Sequence, residues 1–412
     1  MTEQTILYLL LGITTFDFVF DKVLSALNNK NRKLPIPAAL EGIYDEEKYK
    51  KSQEYHKEVN KFSILTSSIS FVIALCMLYF GVFGWLDSWL RSIASIDLLA
   101  SLYFFGILYF ASDMLTIPFQ LYSTFVIEEK FGFNKTTPKT FIMDKLKGYV
   151  LTIVIGGVIL TTLIWLVFSM GQGFWLYFWI IISVLMVFIN MFYTSLIVPI
   201  FNKLNPLEDG ELKSAIEDYS KKVIFPLTNV FVIDGSKRSS KGNAFFSGFG
   251  KKKKVVLYDT LIEKHTTEEL VAVLAHEVGH FKKKHIIWSM IFGIAQTGIM
   301  LYLLSLMIFN SEVSYAMGGQ TTAMHLNILA FGILFSPLSK ITGVLMNIFS
   351  RKNEYEADAY AVTTYDRKPL IDALKKLTSD SLGNLTPHPW YVFFNYSHPS
   401  LLQRVEAMEK VN

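Results

Sequence analysis

Seven apolar stretches, each near the length of a membrane-crossing helix, constrain this chain more than any other feature. A bilayer core about 30 Å thick is crossed by roughly 20 mainly apolar residues in a helix. Stretches near that length run from Ile6 to Leu27, Ser63 to Leu86, Leu98 to Leu121, Tyr149 to Phe168, Phe174 to Phe201, Ile286 to Phe309 and His325 to Phe349. The first is the weakest, because Asp17 and Asp21 interrupt it. It shows no basic leading segment and no small-residue cleavage site, so it reads as a retained helix. Charged residues make up 18% of the chain, whereas a soluble protein keeps about 25%. The expected fold class is therefore mainly α, a bundle of seven transmembrane spans. Cys76 is the single cysteine; it excludes an intramolecular disulfide and a cysteine zinc site, and reads as a buried structural residue.

Loop charges give the orientation. Lys22, Lys30, Arg32, Lys33, Lys48, Lys50, Lys51, Lys57 and Lys61 cluster around the first connection, and Lys130, Lys135, Lys139, Lys145 and Lys147 around the third. The opposite connections are nearly bare, with Arg91 in one and no Lys or Arg in 169–173 or 310–323. Because Lys and Arg favour the cytoplasmic side, the odd-numbered connections and the C-terminus are expected inside and the N-terminus outside. The run Lys251–Lys254 reads as a solvated face near anionic headgroups. Nothing points to nucleic acid.

Four segments follow: 1–201 with spans one to five, 202–284 as a cytoplasmic catalytic segment, 285–349 with spans six and seven, and 350–412 as a cytoplasmic C-terminal segment. Segment 202–284 reads as a small α/β unit. Glu211–Lys222 has helical character, while Asn229–Asp234 and Lys254–Tyr258 are rich in β-branched residues and read as strands. Gly235–Gly250, rich in Gly, Ser and Lys, reads as a loop. Thr266-Thr-Glu-Glu269 matches a capping box and opens a helix.

That helix carries His276-Glu277-Val-Gly-His280. Residues four apart share a helix face, so both imidazoles can reach one metal ion, with Glu277 beside them to act as a base on water. A catalytic zinc takes three protein ligands and keeps one position open. His285 is five residues past His280, about 140° off the ligand face on a continuous helix, and reads as a membrane-interface residue. The third ligand is better sought in Asn353-Glu-Tyr-Glu-Ala-Asp358. Glu354 and Asp358 share a face, and one can bind the metal while the other accepts a hydrogen bond from a ligand imidazole. Glu356 points away. Spacing alone leaves open which carboxylate is the ligand.

Together with Ser397-His-Pro-Ser400 and Arg404, these motifs resemble the type I CAAX prenyl protease family, integral-membrane zinc proteases of the gluzincin kind. Gly42-Ile-Tyr-Asp45, Phe125-Val-Ile-Glu-Glu-Lys-Phe-Gly-Phe-Asn134, Asn243-Ala-Phe-Phe-Ser-Gly-Phe-Gly250 and Val256-Leu-Tyr-Asp-Thr-Leu-Ile262 extend the resemblance along nearly the whole chain. It implies one zinc per chain held by His276, His280 and Glu354, with Asp358 supporting a ligand histidine and Glu277 as general base. His398 would donate a hydrogen bond to the developing oxyanion, a contribution of about 3 kcal/mol. Arg404 would orient that segment or meet a substrate carboxylate. Asn243 and Ala244 would belong to an edge strand on which an extended substrate adds as a further strand. The resemblance also implies a chamber enclosed by seven helices, with the zinc site near its cytoplasmic end and the polar residues Asp113, Asn190 and Lys340 facing it.

The expected activity is zinc endoproteolysis near the C-terminus of isoprenylated or membrane-associated proteins, with a peptide or protein substrate and the lipid bilayer as partners. The stretch between spans six and seven is shorter than in eukaryotic members, which implies a bacterial inner membrane rather than endoplasmic reticulum. Quality-control proteolysis without a prenyl requirement is the competing enzymatic reading. A non-catalytic receptor or channel would require Glu277 or a ligand to be missing, and all are present.

Overall fold

The structure, a computed structural model, describes residues 1–247 and 253–411. Expectations placed on Lys251, Lys252 and the stretch from Gly248 to Gly250 lie outside the described residues. Long helices dominate. Glu3–Asn31 opens on Thr2, whose hydroxyl accepts from the Thr5 amide. Glu46–Tyr79 opens on Asp45, which caps the Lys48 amide, and runs from a charged first half into an apolar second half. Asp97–Tyr122 continues through a π-helical stretch, Ser123–Glu128. By length and composition, four of the described helical runs can cross a membrane, and a fifth counts if Met324–Leu334 and Ser336–Thr364, bent by 51°, form one span.

One of those runs, Pro138–Phe201, is 64 residues long, about 96 Å if it were straight. It is broken at Gly171, whose φ of 55° falls where glycine alone is comfortable. The flanking segments Gly157–Met170 and Phe174–Phe192 pack on each other through Ile164, Val167, Phe174 and Phe178. Glu3–Asn31 is not among the four, consistent with Asp17 and Asp21 lowering its hydropathy.

Two expectations are corrected in this region. The second apolar stretch does not continue as one helix to Leu86: Gly81 at φ 65° ends it after Tyr79, and Val82–Ile93 turns back with Phe83, Leu86 and Leu90 buried. Cys76 is exposed, on an outward face with Val72, Ile73 and Tyr79. Of the polar residues within spans, Asp113 meets Lys145 and Tyr149, Lys340 lies 2.9 Å from Asp21, and Asn190 is exposed.

Among the described residues one four-stranded sheet forms, from β1 (Leu204–Pro206), β2 (Leu227–Ile233), β3 (Ala244–Ser247) and β4 (Lys253–Tyr258). Its order is β1-β2-β4-β3, with β2 and β4 parallel and the outer pairs antiparallel. β2 and β4 match the strands expected from β-branched content. β3 lies inside the stretch whose composition reads as a loop and where the resemblance expects an edge strand; pairing with β4 overrides the local composition. β3 is an edge strand.

The motif helix, Thr267–Lys282, starts at a complete capping box: Thr266 Oγ1 accepts from the Glu269 amide and Glu269 accepts from the Thr266 amide. It packs between the sheet and the C-terminal helices. Leu257 of β4, Leu270 and Leu274 of the motif helix, Leu370 and Met408 share one core. Segments 202–284 and 350–412, far apart in the chain, therefore form one folded unit.

Candidate metal centre

Two helices cross at the centre of this unit, the motif helix and Ser336–Thr364. Their approach depends on Gly279, since a Cβ there would stand 2.9 Å from Ala357 Cα and 3.0 Å from its carbonyl oxygen. Gly279 is adjacent to His280, and Ala357 sits between Glu354 and Asp358. Absence of side chains at the crossing lets the imidazoles of one helix meet the carboxylates of the other.

The donor atoms of His276, His280 and Glu354 lie within 4.8 Å of one another. The two imidazole Nε2 atoms are 3.1 Å apart, His280 Nε2 is 3.2 Å from Glu354 Oε1, and His276 Nε2 is 3.5 Å from Glu354 Oε2. A tetrahedral ion with bonds of about 2 Å sets its ligand atoms roughly 3.3 Å apart. The spacing therefore fits a metal ion between them. Glu354 Oε2 is buried without a hydrogen-bond donor, a costly state that a cation would relieve.

Charge and burial are set to match. Burial pushes the Glu354 carboxyl up, but the hydrogen bond with His280 and the neighbouring His276, Arg404 and His398 outweigh it and hold the group at about 2. Asp358 is also held at about 2, because Arg404 and the hydrogen bond from His276 overcome burial. Glu277 moves the other way. Desolvation of its partly buried carboxyl raises it, reinforced by Glu354 and opposed by His276, His280 and Arg404. One carboxylate is thus kept ionised, while its neighbour is prepared to take up a proton.

Asp358 does not face the metal position. It accepts from His276 Nδ1 at 2.8 Å and from both forks of Arg404, Nε at 2.8 Å and Nη2 at 2.6 Å. Arg404 is buried on Leu401–Glu409, a helix begun by a capping box between Ser400 and Gln403. Its guanidinium thereby forks onto Asp358, and its Nη1 also lies 3.5 Å from Glu354 Oε2. His398 sits at the mouth, side chain 62% exposed, with Nε2 3.4 Å from Glu354 Oε1 and Nδ1 2.9 Å from Ser397 Oγ. The turn leading to it is tied down by Ser336–Thr364. Arg351 Nη1 donates to the carbonyls of Val392 and Tyr396, and Asn347 donates to that of Phe394. They lie at the C-terminal end of the helix Pro389–Asn395, where Tyr396 is the C-cap and its amide also donates to the Val392 carbonyl.

A cavity of about 550 Å³ opens on this cluster, lined by His276, Glu277, His280, Glu354, His398 and Arg404 and also by Asn243 and Ala244. The site thus brings together every residue singled out from the sequence except Asp358, which stands behind His276.

His285 departs from expectation. It is 5% exposed and lies with its Nδ1 2.9 Å from His280 Nδ1 and its Nε2 3.2 Å from Glu356 Oε2. The helical rotation that excludes it does not apply, because Lys284 adopts a left-handed conformation (φ 59°) and separates the motif helix from His285–Met307. No Gly or Pro in Lys282-Lys-Lys284 signals that break. Arg351 and Asn347 also escape a sequence reading, since their partners are backbone carbonyls.

A family model described as "CAAX prenyl protease N-terminal, five membrane helices" matches residues 26–203, and one described as "Peptidase family M48" matches residues 206–412. The CAAX prenyl protease 1 homolog of Arabidopsis thaliana is 34% identical over 409 residues, covering 97% of this chain and 96% of that protein. CAAX prenyl protease 1 of Saccharomyces cerevisiae is 32% identical over 430 residues, covering 97% and 94%. The human CAAX prenyl protease 1 homolog is 32% identical, covering 91% of this chain and 88% of its own length. Among solved structures, the crystal structure of S. mikatae Ste24p superposes with a TM-score of 0.93 at 32% identity, covering 98% of this chain and 99% of that one.

Proposed function

Because this chain belongs to the CAAX prenyl protease family and is, through its M48 peptidase half, a membrane metalloendopeptidase, we propose that its metal is zinc and that it cuts isoprenylated or membrane-associated proteins near their C-termini. One observation carries the chemistry. Three donor atoms converge at ligand spacing in a cavity that is also lined by the partly buried Glu277.

His276, His280 and Glu354 would hold the zinc, which supplies Lewis acidity when bound. An extended substrate pairs with the free edge of β3, its scissile carbonyl directed past Asn243 and Ala244 into the cavity. Glu277 takes a proton from the attacking water as the new C–O bond forms, then delivers it to the amine nitrogen as the C–N bond breaks. His398, exposed at the mouth, donates a hydrogen bond to the oxyanion. Asp358 holds the His276 ring, and Arg404 holds Asp358.

The protein is a multi-pass membrane protein. We read seven crossings, taking Glu3–Asn31 as the first, the run broken at Gly171 as two, and the bent pair as the last. Lys340 with Asp21, and Lys145 with Asp113, support polar surfaces turned inward toward a chamber. The Lys and Arg distribution supports an active site on the cytoplasmic side. The short stretch 310–323 supports a bacterial inner membrane; the relatives named above are eukaryotic and lend that assignment no support.

Cleavage of matched farnesylated and unmodified C-terminal peptides by detergent-purified protein tests the substrate. Cleavage confined to the farnesylated peptide and lost in Glu277→Ala is the expected result. Equal cleavage of both overturns the prenyl requirement and favours general proteolysis of membrane proteins.

A further inference from the structure

Each proposed ligand imidazole has a second nitrogen, and the two are treated differently. His276 Nδ1 reaches Asp358, which is locked by Arg404. His280 Nδ1 reaches neither an acid nor a carbonyl but the buried His285, which in turn reaches Glu356. We propose that His285 and Glu356 form a positioning relay behind His280 that fixes the tautomer and ring plane of this ligand. The inference rests on the reading that His280 Nε2 binds the metal.

Proton bookkeeping makes the chain of contacts consistent in only one direction. A neutral imidazole that gives its Nε2 lone pair to a metal carries its proton on Nδ1. His280 Nδ1–H therefore donates across the 2.9 Å to His285 Nδ1, which accepts. His285 then carries its own proton on Nε2 and donates across 3.2 Å to Glu356 Oε2. Lys352 Nζ, 3.9 Å from the other Glu356 oxygen, is the nearby cation. No group in the chain is left with two protons or none facing each other.

The backbone is arranged around this contact. Lys284 at φ 59° ends the motif helix and turns the chain so that the next residue, His285, comes back against His280. The left-handed conformation is unfavourable for a lysine, so packing of the surrounding structure must hold it. The rings of His280 and His285 meet at 75° with centroids 5.0 Å apart, an edge contact that puts nitrogen against nitrogen. Glu356, two residues past Glu354, faces away from the metal, and that places it against His285. Partners behind metal-ligating histidines typically affect metal affinity 10- to 100-fold.

The test is competition for zinc between a chromophoric chelator and the full-length protein in detergent, for wild type, His285→Ala, His285→Asn and Glu356→Ala. The absorption spectrum of the cobalt-loaded protein reports ligand geometry. His285→Ala is expected to weaken zinc binding by about 10- to 100-fold, to alter the cobalt spectrum and to lower kcat more than it raises KM. In His285→Asn, Oδ1 can replace the accepting nitrogen, and most of the affinity is expected to return. Glu356→Ala, whose side chain is partly exposed, should shift affinity in the same direction as His285→Ala, and decides the question if His285→Ala does not fold. Wild-type affinity and spectrum in Glu356→Ala and His285→Ala, or an Asn variant as weak as the Ala variant, would overturn the relay. Absence of zinc binding by the wild type would instead overturn the metal site itself.

Discussion

Glu277 lies among two imidazoles, a guanidinium and a second carboxylate, and desolvation, reinforced by Glu354, raises its proton affinity against the pull of His276, His280 and Arg404. A general base contributes about 10²- to 10⁴-fold, so Glu277→Gln should lower kcat by that range with the metal content unchanged. Arg404 offers a contrasting substitution. Arg404→Ala leaves the Asp358 carboxylate buried without its bidentate partner, a loss expected to cost about 3–5 kcal/mol in reversible unfolding. Arg404→Lys should recover part of that, since a lysine keeps the charge but not the two-pronged contact. The meeting of His276, His280 and Glu277 is legible in the sequence, because four-residue spacing on one helix has one geometric meaning. Spacing does not choose between Glu354 and Asp358, since both lie on one face; the family resemblance chooses Glu354, and in the fold that carboxylate faces His280 while Asp358 lies behind His276. His285 escapes for a different reason: helical geometry is extrapolated across Lys284, where the helix has ended.

At the scale of elements, the site depends on how closely two helices cross. Gly279 carries no reading of its own in the His276–His280 motif, and in the fold its missing Cβ is what admits Ala357. Gly279→Ala would place a methyl about 3 Å from the facing backbone. It should destabilise the protein by about 1–3 kcal/mol, as overpacking does, and weaken zinc binding by separating His280 from Glu354. Thermal unfolding and chelator competition measure the two effects. The helix Pro389–Asn395 gives a second case. Arg351→Ala should lower kcat and leave zinc affinity near wild type, because it frees carbonyls in the turn before His398 without touching a ligand. Strands β2 and β4 and the capped motif helix were visible as patterns of β-branched residues and cap residues. Composition alone hides β3 in its Gly- and Ser-rich surroundings, whereas the family resemblance marks an edge strand at Asn243 and Ala244; pairing with β4 gives it its strand character.

Across the whole molecule, the apolar runs are legible because each must match a fixed hydrocarbon thickness, and the break at Gly171 falls in the expected connection 169–173, whereas the break at Gly81 depends on how neighbouring helices pack. The inward surfaces can be probed by single cysteines in a Cys76→Ser background. Asp113→Cys, Asn190→Cys and Lys340→Cys should react with a small water-soluble maleimide if they line a wet chamber, and resist it if they face lipid. The zinc count per chain, by elemental mass spectrometry on detergent-purified wild type and Glu354→Ala after identical chelator stripping and limited zinc return, bears most directly on the proposed catalytic centre. One zinc per wild-type chain and a large deficit in Glu354→Ala is the predicted result; a wild type without zinc, or a Glu354→Ala variant that retains a full equivalent, would contradict it.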